Sequence, residues 1–239
     1  MLRALGRWWD KAGKEDPLYA ILTEPDARGG GWDEERFFET GRTEVDDALE
    51  RVRSAGLRLE TERALDFGCG VGRLTQALAA YFEQVDGVDI APSMIAEAER
   101  YNRFGSRCRY HVNARADLSM FDDASFDLVF SLVVLQHIPP ELARGYVAEF
   151  IRVLRPDGLA VFQIATASKA PRPATRSSAP RRLARRILRR PPSQILEMHA
   201  TPEDEVRRWI ADGHGAVAAA WPLPTDEFFD GTLFAVVPA

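Results

Sequence analysis

Apolar positions change their spacing along this chain, and the changes mark its elements. Leu2, Leu5, Trp8 and Trp9 recur at helical spacing in a short amphipathic start. The segment DPLYAIL and a turn, Arg28-Gly29-Gly30-Gly31, follow. Val45, Leu49 and Val52 oppose Asp46, Asp47, Glu50 and Arg51, which predicts helices over residues 33–38 and 43–55, with Asp33 as cap and Gly56 as stop. From residue 64, short apolar runs (64–67, 84–89, 108–113, 126–132, 159–164) alternate with helical patterns at 73–81, 92–104 and 140–154. Pro92 suits a first helical turn, and Arg155-Pro156-Asp157-Gly158 reads as a turn into the fifth strand. Strands and helices alternating in this way predict a parallel sheet covered on both faces, a doubly wound α/β domain. A helix over 202–212 capped by Thr201, then strands at 216–221 and 232–237, would complete it. Residues 1–60 read as an arm packed on a domain of residues 61–239, because Trp8, Trp9, Tyr19 and Trp32 are too many large rings for a loose tail.

Charge changes the picture at one place. The 239 residues carry a net charge of −5, yet residues 167–193 hold Lys169 and Arg172, Arg176, Arg181, Arg182, Arg185, Arg186, Arg189 and Arg190 with no acid. That stretch is +9, which leaves −14 on the rest. A basic insert or lid over 167–198 is expected, and residues 181–190, from Arg181 to Arg190, would suit an anionic membrane or a phosphate-bearing substrate. Nucleic acid is not expected, because no basic face is interleaved with aromatics. No apolar run is long enough to span a membrane, and the first residues lack the core of a secretion signal. Cys69 and Cys108 read as reduced thiols, so a cytoplasmic protein, at most peripheral at a membrane, is expected. With His111, His137, His199 and His214 they form no metal-ligand spacing.

The candidate chemistry centres on Gly68, Gly70 and Gly72, which follow the first strand. Dinucleotide sites require G-x-G-x-x-G, and here Arg73 replaces the third glycine. Asp66, two residues before the first glycine, suits a ligand with an ammonium group better than one with a pyrophosphate. Asp89 ends the second strand, where it can take both hydroxyls of a ribose. An ammonium and a ribose without phosphate point to S-adenosylmethionine.

Leu65-Asp66-Phe67-Gly68-Cys69-Gly70-Val71-Gly72-Arg73-Leu74 resembles the first motif of class I S-adenosylmethionine-dependent methyltransferases. The stretch 85–94 is similar to their second motif, 125–131 to the fourth-strand motif and 154–159 to the approach to strand five. The resemblance implies a seven-stranded, mostly parallel sheet with an antiparallel last strand. It places Phe67, Cys69, Asp89, Ile90 and Met94 at the cofactor. Many relatives have an acid after strand three, where Ala114 stands here, so adenine would fall to the main chain of Ala114 and Arg115, or to Asp117. The loop after strand four, with Ser131 and Gln136, would border the methyl group. His137 is the candidate base, although a histidine opening a helix also often bonds only its neighbouring backbone. Gln136 would orient the acceptor or the methionine amine, or simply lead the helix. His199 and Glu197 would reach the cavity if the insert folds over it, and residues 38–42 would cap the cofactor. The expected acceptor is a small molecule, a saccharide or a lipid-linked glycan, methylated on oxygen. The alternatives are a cofactor-binding partner protein without transfer, or a membrane-peripheral or RNA methyltransferase.

Overall fold

The computed structural model describes residues 1–169, 198–224 and 229–239. Its strands are β1 (Arg63–Phe67), β2 (Gln84–Asp89), β3 (Cys108–Val112), β4 (Phe126–Ser131), β5 (Leu154–Ser168), β6 (Gly215–Pro224) and β7 (Phe229–Pro238). They form one sheet in the order β3-β2-β1-β4-β5-β7-β6, parallel throughout except for β7, which runs antiparallel to both of its neighbours. The helices are α1 (Leu2–Glu15), α2 (Pro17–Ile21), α3 (Glu34–Ser54), α4 (Arg73–Leu78), α5 (Pro92–Tyr101), α6 (Pro140–Val153) and α7 (Glu203–Asp212). Strand order reverses beside β1, and the crevice beyond the carboxyl ends of β1, β2 and β4 is where such sheets take ligands.

Alternation along the strands builds two cores. Leu65, Val129 and Phe162 face α6 and α7 through Val147, Phe150, Trp209 and Ile210. Their neighbours Ala64, Phe130 and Val161 face α3 and α4 through Val45, Leu49, Leu74 and Leu78. A third cluster, with Leu18, Trp32, Phe37, Phe38, Met94 and Tyr101, joins the first forty residues to α5. Among the described residues no helix is long and apolar enough to cross a membrane.

The structure departs from the sequence expectations in three places. The two helices expected over 33–55 are one, α3, capped by Asp33, whose Oδ1 accepts the Arg36 N–H at 2.8 Å. The helix continues through Gly41 because that glycine lies against α4: a Cβ there would stand 2.6 Å from the Arg73 carbonyl oxygen. Arg155-Pro156-Asp157-Gly158 is not a turn between elements but an irregularity inside β5. Phe126 pairs with Leu154 and Leu128 with Leu159, so β5 carries three surplus residues there. Arg155 anchors them by an ion pair to Asp127 at 2.6 Å. Pro202, not Thr201, stands at the N-cap of α7; Thr201 is buried and donates its N–H to the Ala165 carbonyl instead. Of the basic insert, Lys169 pairs with Asp230 at 2.7 Å, while residues 170–197, including all eight arginines and Glu197, lie outside the described residues.

The contact of Gly41 with Arg73 sets the distance between α3 and α4. Replacing Gly41 with Val inserts bulk against backbone that cannot yield, and should cost about 1–3 kcal/mol. Thermal unfolding followed by circular dichroism should show a midpoint several degrees lower, about 2–4 °C per kcal/mol at this size. An unchanged midpoint would mean that α3 does not rest on α4 at this residue.

Candidate functional site

The turn after β1 is built from left-handed backbone. Gly68, Gly70 and Gly72 have φ of 77°, 53° and 81°, a conformation in which a Cβ is strained. The N–H groups of Gly68 and Cys69 both donate to the Val88 carbonyl, at 2.8 and 3.0 Å, which ties the turn to β2. Asp89 fixes the other side: its Oδ2 accepts the Gly70 N–H at 3.0 Å and its Oδ1 the Ala91 N–H at 2.8 Å. Burial pushes the Asp89 carboxyl up to about 6, with those backbone donors opposing the rise. Asp66 lies beneath the turn. Its Oδ2 accepts the Thr75 hydroxyl at 2.6 Å, while its Oδ1 is buried without a partner. Burial raises Asp66 to about 7, against the pull of Thr75 and Arg73.

A cavity opens over this turn. One wall is Gly68, Cys69, Gly70, Asp89, Ile90 and Met94. The facing wall comes from the loop after β4 and includes Val133, Val134, His137 and Ile138. Helices α1 and α2 make the roof with Leu2, Leu5, Trp9, Ile21 and Leu22. The roof is pinned to α5: Asp10 Oδ1 accepts the Ser93 N–H at 3.0 Å, and the Ser93 hydroxyl donates to the Asp10 carbonyl at 2.8 Å. Asp10 thereby serves as the cap that α5, opening on Pro92, has none of its own to supply.

His137 ends the short 3₁₀ turn Leu135–His137. Its Nδ1 is buried without a partner, and its ring meets Trp9 edge-on, 5.6 Å between centroids. Burial and the nearby charge of His199 depress its pKa to about 4, so the imidazole is neutral at physiological pH. His199 is held beside this turn, because its N–H donates to the Gln136 carbonyl at 2.8 Å. Val133 has φ of 60°, which for a β-branched residue is a strained conformation costing about 1–3 kcal/mol.

The structure gathers Phe67, Gly68, Cys69, Gly70, Asp89, Ile90, Met94 and His137 around one cavity. It leaves Asp66, Ala114, Arg115, Ser131 and Gln136 outside the wall. Ser131 is buried with its hydroxyl donating to the Phe67 carbonyl at 3.0 Å, and Gln136 is buried with Oε1 unpartnered. After β3 it is Asn113 that reaches the cavity, its Oδ1 accepting the Arg115 N–H at 3.0 Å. Residues 38–42 do not cap the cavity; α1 and α2 do. Trp9 was visible in the sequence only as packing. Nothing in the sequence marked Ile21 or Val133. Cys69 is buried, and burial pushes its thiol well up, so it lines the turn without being a nucleophile.

Residues 65–162 match the family model described as a methyltransferase domain. A ubiquinone biosynthesis O-methyltransferase of Xanthomonas campestris pv. campestris is 30 % identical over 138 residues, 57 % of this chain and 48 % of that protein. One of Xanthomonas oryzae pv. oryzae is 29 % identical over 153 residues, 64 % of this chain and 53 % of its own length. The chain thus spans about half the length of the curated relatives it matches. In fold it is similar to magnesium protoporphyrin IX methyltransferase from Synechocystis PCC 6803, solved with bound SAH (TM-score 0.65, 19 % identity, 99 % of both chains).

A carboxyl whose pKa rises on folding holds its proton more tightly in the folded state. It therefore favours folding most at low pH, and progressively less as pH climbs from its ordinary 3.8 through about 7. Asp66→Asn keeps an acceptor for Thr75 and removes that titration. The variant should gain stability relative to the parent between pH 4 and about 7.5, measured by urea denaturation. A stability difference independent of pH would show that Asp66 does not carry the raised pKa.

Proposed function

We propose that this chain, whose residues 65–162 match a methyltransferase-domain model and whose seven-stranded sheet extends to residue 238, is an enzyme transferring a methyl group from S-adenosylmethionine to an oxygen of a small-molecule acceptor. The observation that carries this reading is the pairing of a glycine turn with Asp89, hydrogen-bonded to it, in one wall of the cavity. The residues fit the cofactor. Each Asp89 oxygen already accepts one backbone N–H and retains a lone pair for a ribose hydroxyl. Gly68 and Gly70 line the cavity with no side chain of their own, and the space beside them is held by Val134 and Ile21, which a cofactor reaching the backbone would displace. Asp66 lies beneath the turn and outside the cavity wall, so a cofactor ammonium over the turn would feel its carboxyl through space and not by contact. The name of the curated relatives supports oxygen as the accepting atom.

When bound, S-adenosylmethionine supplies an electrophilic methyl carbon, the C–S bond breaking with its electron pair left on sulfur as the new O–C bond forms. The protein's part is alignment and proton removal. Neutral His137, in the wall opposite the glycine turn, would accept the acceptor's hydroxyl proton at an imidazole nitrogen. The roof of α1 and α2 excludes water from the same space.

Titration calorimetry with S-adenosylhomocysteine tests the cofactor assignment. Asp89→Asn should weaken binding at least tenfold, about 1.4 kcal/mol. The parent's affinity should fall as pH drops through about 6, where Asp89 takes up a proton and loses an acceptor, and the variant's should not. An unchanged affinity in Asp89→Asn would overturn the ribose role. Using radiolabelled S-adenosylmethionine and a panel of hydroxylated acceptors, His137→Gln should lower kcat by about 10²–10⁴ while leaving S-adenosylhomocysteine affinity alone. A full-rate variant would remove His137 from the chemistry.

A further inference from the structure

The two sides of the cavity differ in chemistry. Its polar side chains, Asp89 and Asn113, sit with the glycine turn and the ends of β2 and β3, while Arg73 turns its guanidinium away to Glu44 and Thr40. Away from them the wall is Leu2, Leu5, Trp9, Leu132, Val133 and Ile138. Among the described residues the remaining polar side chains in that half are His137, the Trp9 indole N–H and Tyr146, whose hydroxyl is already given to the Arg115 carbonyl at 2.6 Å. A sugar entering here would leave most of its hydroxyls without partners, which such a wall punishes. A flat apolar ring would lose little on leaving water, and would find the Trp9 indole to pack on.

Val133 adds an independent observation. At φ of 60° glycine would be free of strain, yet the chain carries a β-branched side chain there. That side chain is 38 % exposed and so recovers little from burial in the protein itself. A strained, exposed apolar residue lining a cavity, unrewarded by its own packing, is what a ligand-contacting residue looks like.

We propose that Trp9 and Val133 are the acceptor-specificity residues of this cavity, and that the acceptor is a flat, apolar aromatic ring carrying a hydroxyl group. The assignment rests on the methyl-transfer reading above. Trp9 stands against His137 beside the acceptor space, and Val133 lines the same cavity. The acidity of His137 agrees with a ring hydroxyl. A base with a pKa of about 4 is better matched to a phenol, near 10, than to an aliphatic hydroxyl, close to water at about 15.7. On this proposal a ring replaces the saccharide acceptor expected from the sequence, since the described residues of the wall offer a sugar few hydrogen-bond partners.

The full chain would be assayed with radiolabelled S-adenosylmethionine against 2,3-dihydroxynaphthalene and methyl glucoside. Transfer to the naphthalene should exceed that to the glucoside by at least a hundredfold in kcat/KM. Trp9→Ala and Val133→Gly should each raise the naphthalene KM tenfold or more, with S-adenosylhomocysteine affinity within twofold of the parent. Trp9→Phe should restore most of the loss. Val133→Gly should unfold at the same or a higher temperature, because the strain is relieved; a purely structural valine would lower it. Equal or better transfer to the glucoside overturns the proposal. So does an unchanged naphthalene KM in both variants, or a protein that binds S-adenosylhomocysteine yet methylates neither compound. Failure of the parent to bind S-adenosylhomocysteine at all would instead overturn the methyl-transfer reading beneath it.

Discussion

Three left-handed glycines within five residues are the constraint on which the rest of this structure depends. Each leaves a missing side chain that a different part of the chain fills. A Cβ on Gly68 would collide with Val134 of the loop after β4, one on Gly70 with Ile21 of α2, and one on Gly72 with the Tyr110 hydroxyl of β3. The loop that bears His137, the N-terminal roof and the third strand therefore all meet at one turn. The bareness that lets a ligand approach the main chain also lets these three elements close on it. Binding surface and packing hub are the same residues.

Arg73 shows how this turn differs from a dinucleotide cradle. A third glycine would let the helix settle closely on the strand beneath a pyrophosphate. Here the following residue is a buried arginine, and the close approach has moved elsewhere. Its backbone and Cγ lie against Gly41 of α3, while its guanidinium pairs with Glu44 at 2.8 Å and with the Thr40 hydroxyl at 3.1 Å. The cation is thus spent on fastening α3 to the turn. What faces the ligand space is acidic: Asp89 in the wall and Asp66 under it, both with carboxyls raised by burial. Raised carboxyls are a cost to folding above their ordinary range, accepted where a ligand's donors and positive charge repay it.

Much of the fold was legible because its signals are local. The five strands and three helices between residues 63 and 168 each carry a period or a glycine that marks them, and the structure moves most of their boundaries by only a few residues. The failures share a cause. Pro156, Asp157 and Gly158 signal a turn wherever they occur, and only pairing with β4 makes them an irregularity within a strand. Gly41 reads as a break until the backbone of α4 is placed beside it. The apolar stripe of Leu2, Leu5 and Trp9 announces that a helix has something to cover, but periodicity cannot say what lies under it. Val133 is the extreme case, since no residue type announces a strained valine.

The roof is held by two different kinds of contact. Near its middle it is pinned by directed polar bonds: Asp10 on Ser93, and Asp16, whose Oδ2 accepts the Gly29 and Gly30 N–H groups at 2.6 and 3.1 Å. Over the cavity it rests on apolar contact alone, Ile21 on Gly70 and Trp9 against His137. Directed bonds fix where a helix sits, whereas apolar contact is indifferent to which apolar partner supplies it. A ligand reaching the Gly70 backbone must displace Ile21, and one reaching His137 must slide along Trp9. In both places an apolar surface of the ligand can take over what the side chain loses. Arrangement of the polar bonds away from the cavity and the exchangeable ones above it lets the roof admit a ligand without giving up its own attachment.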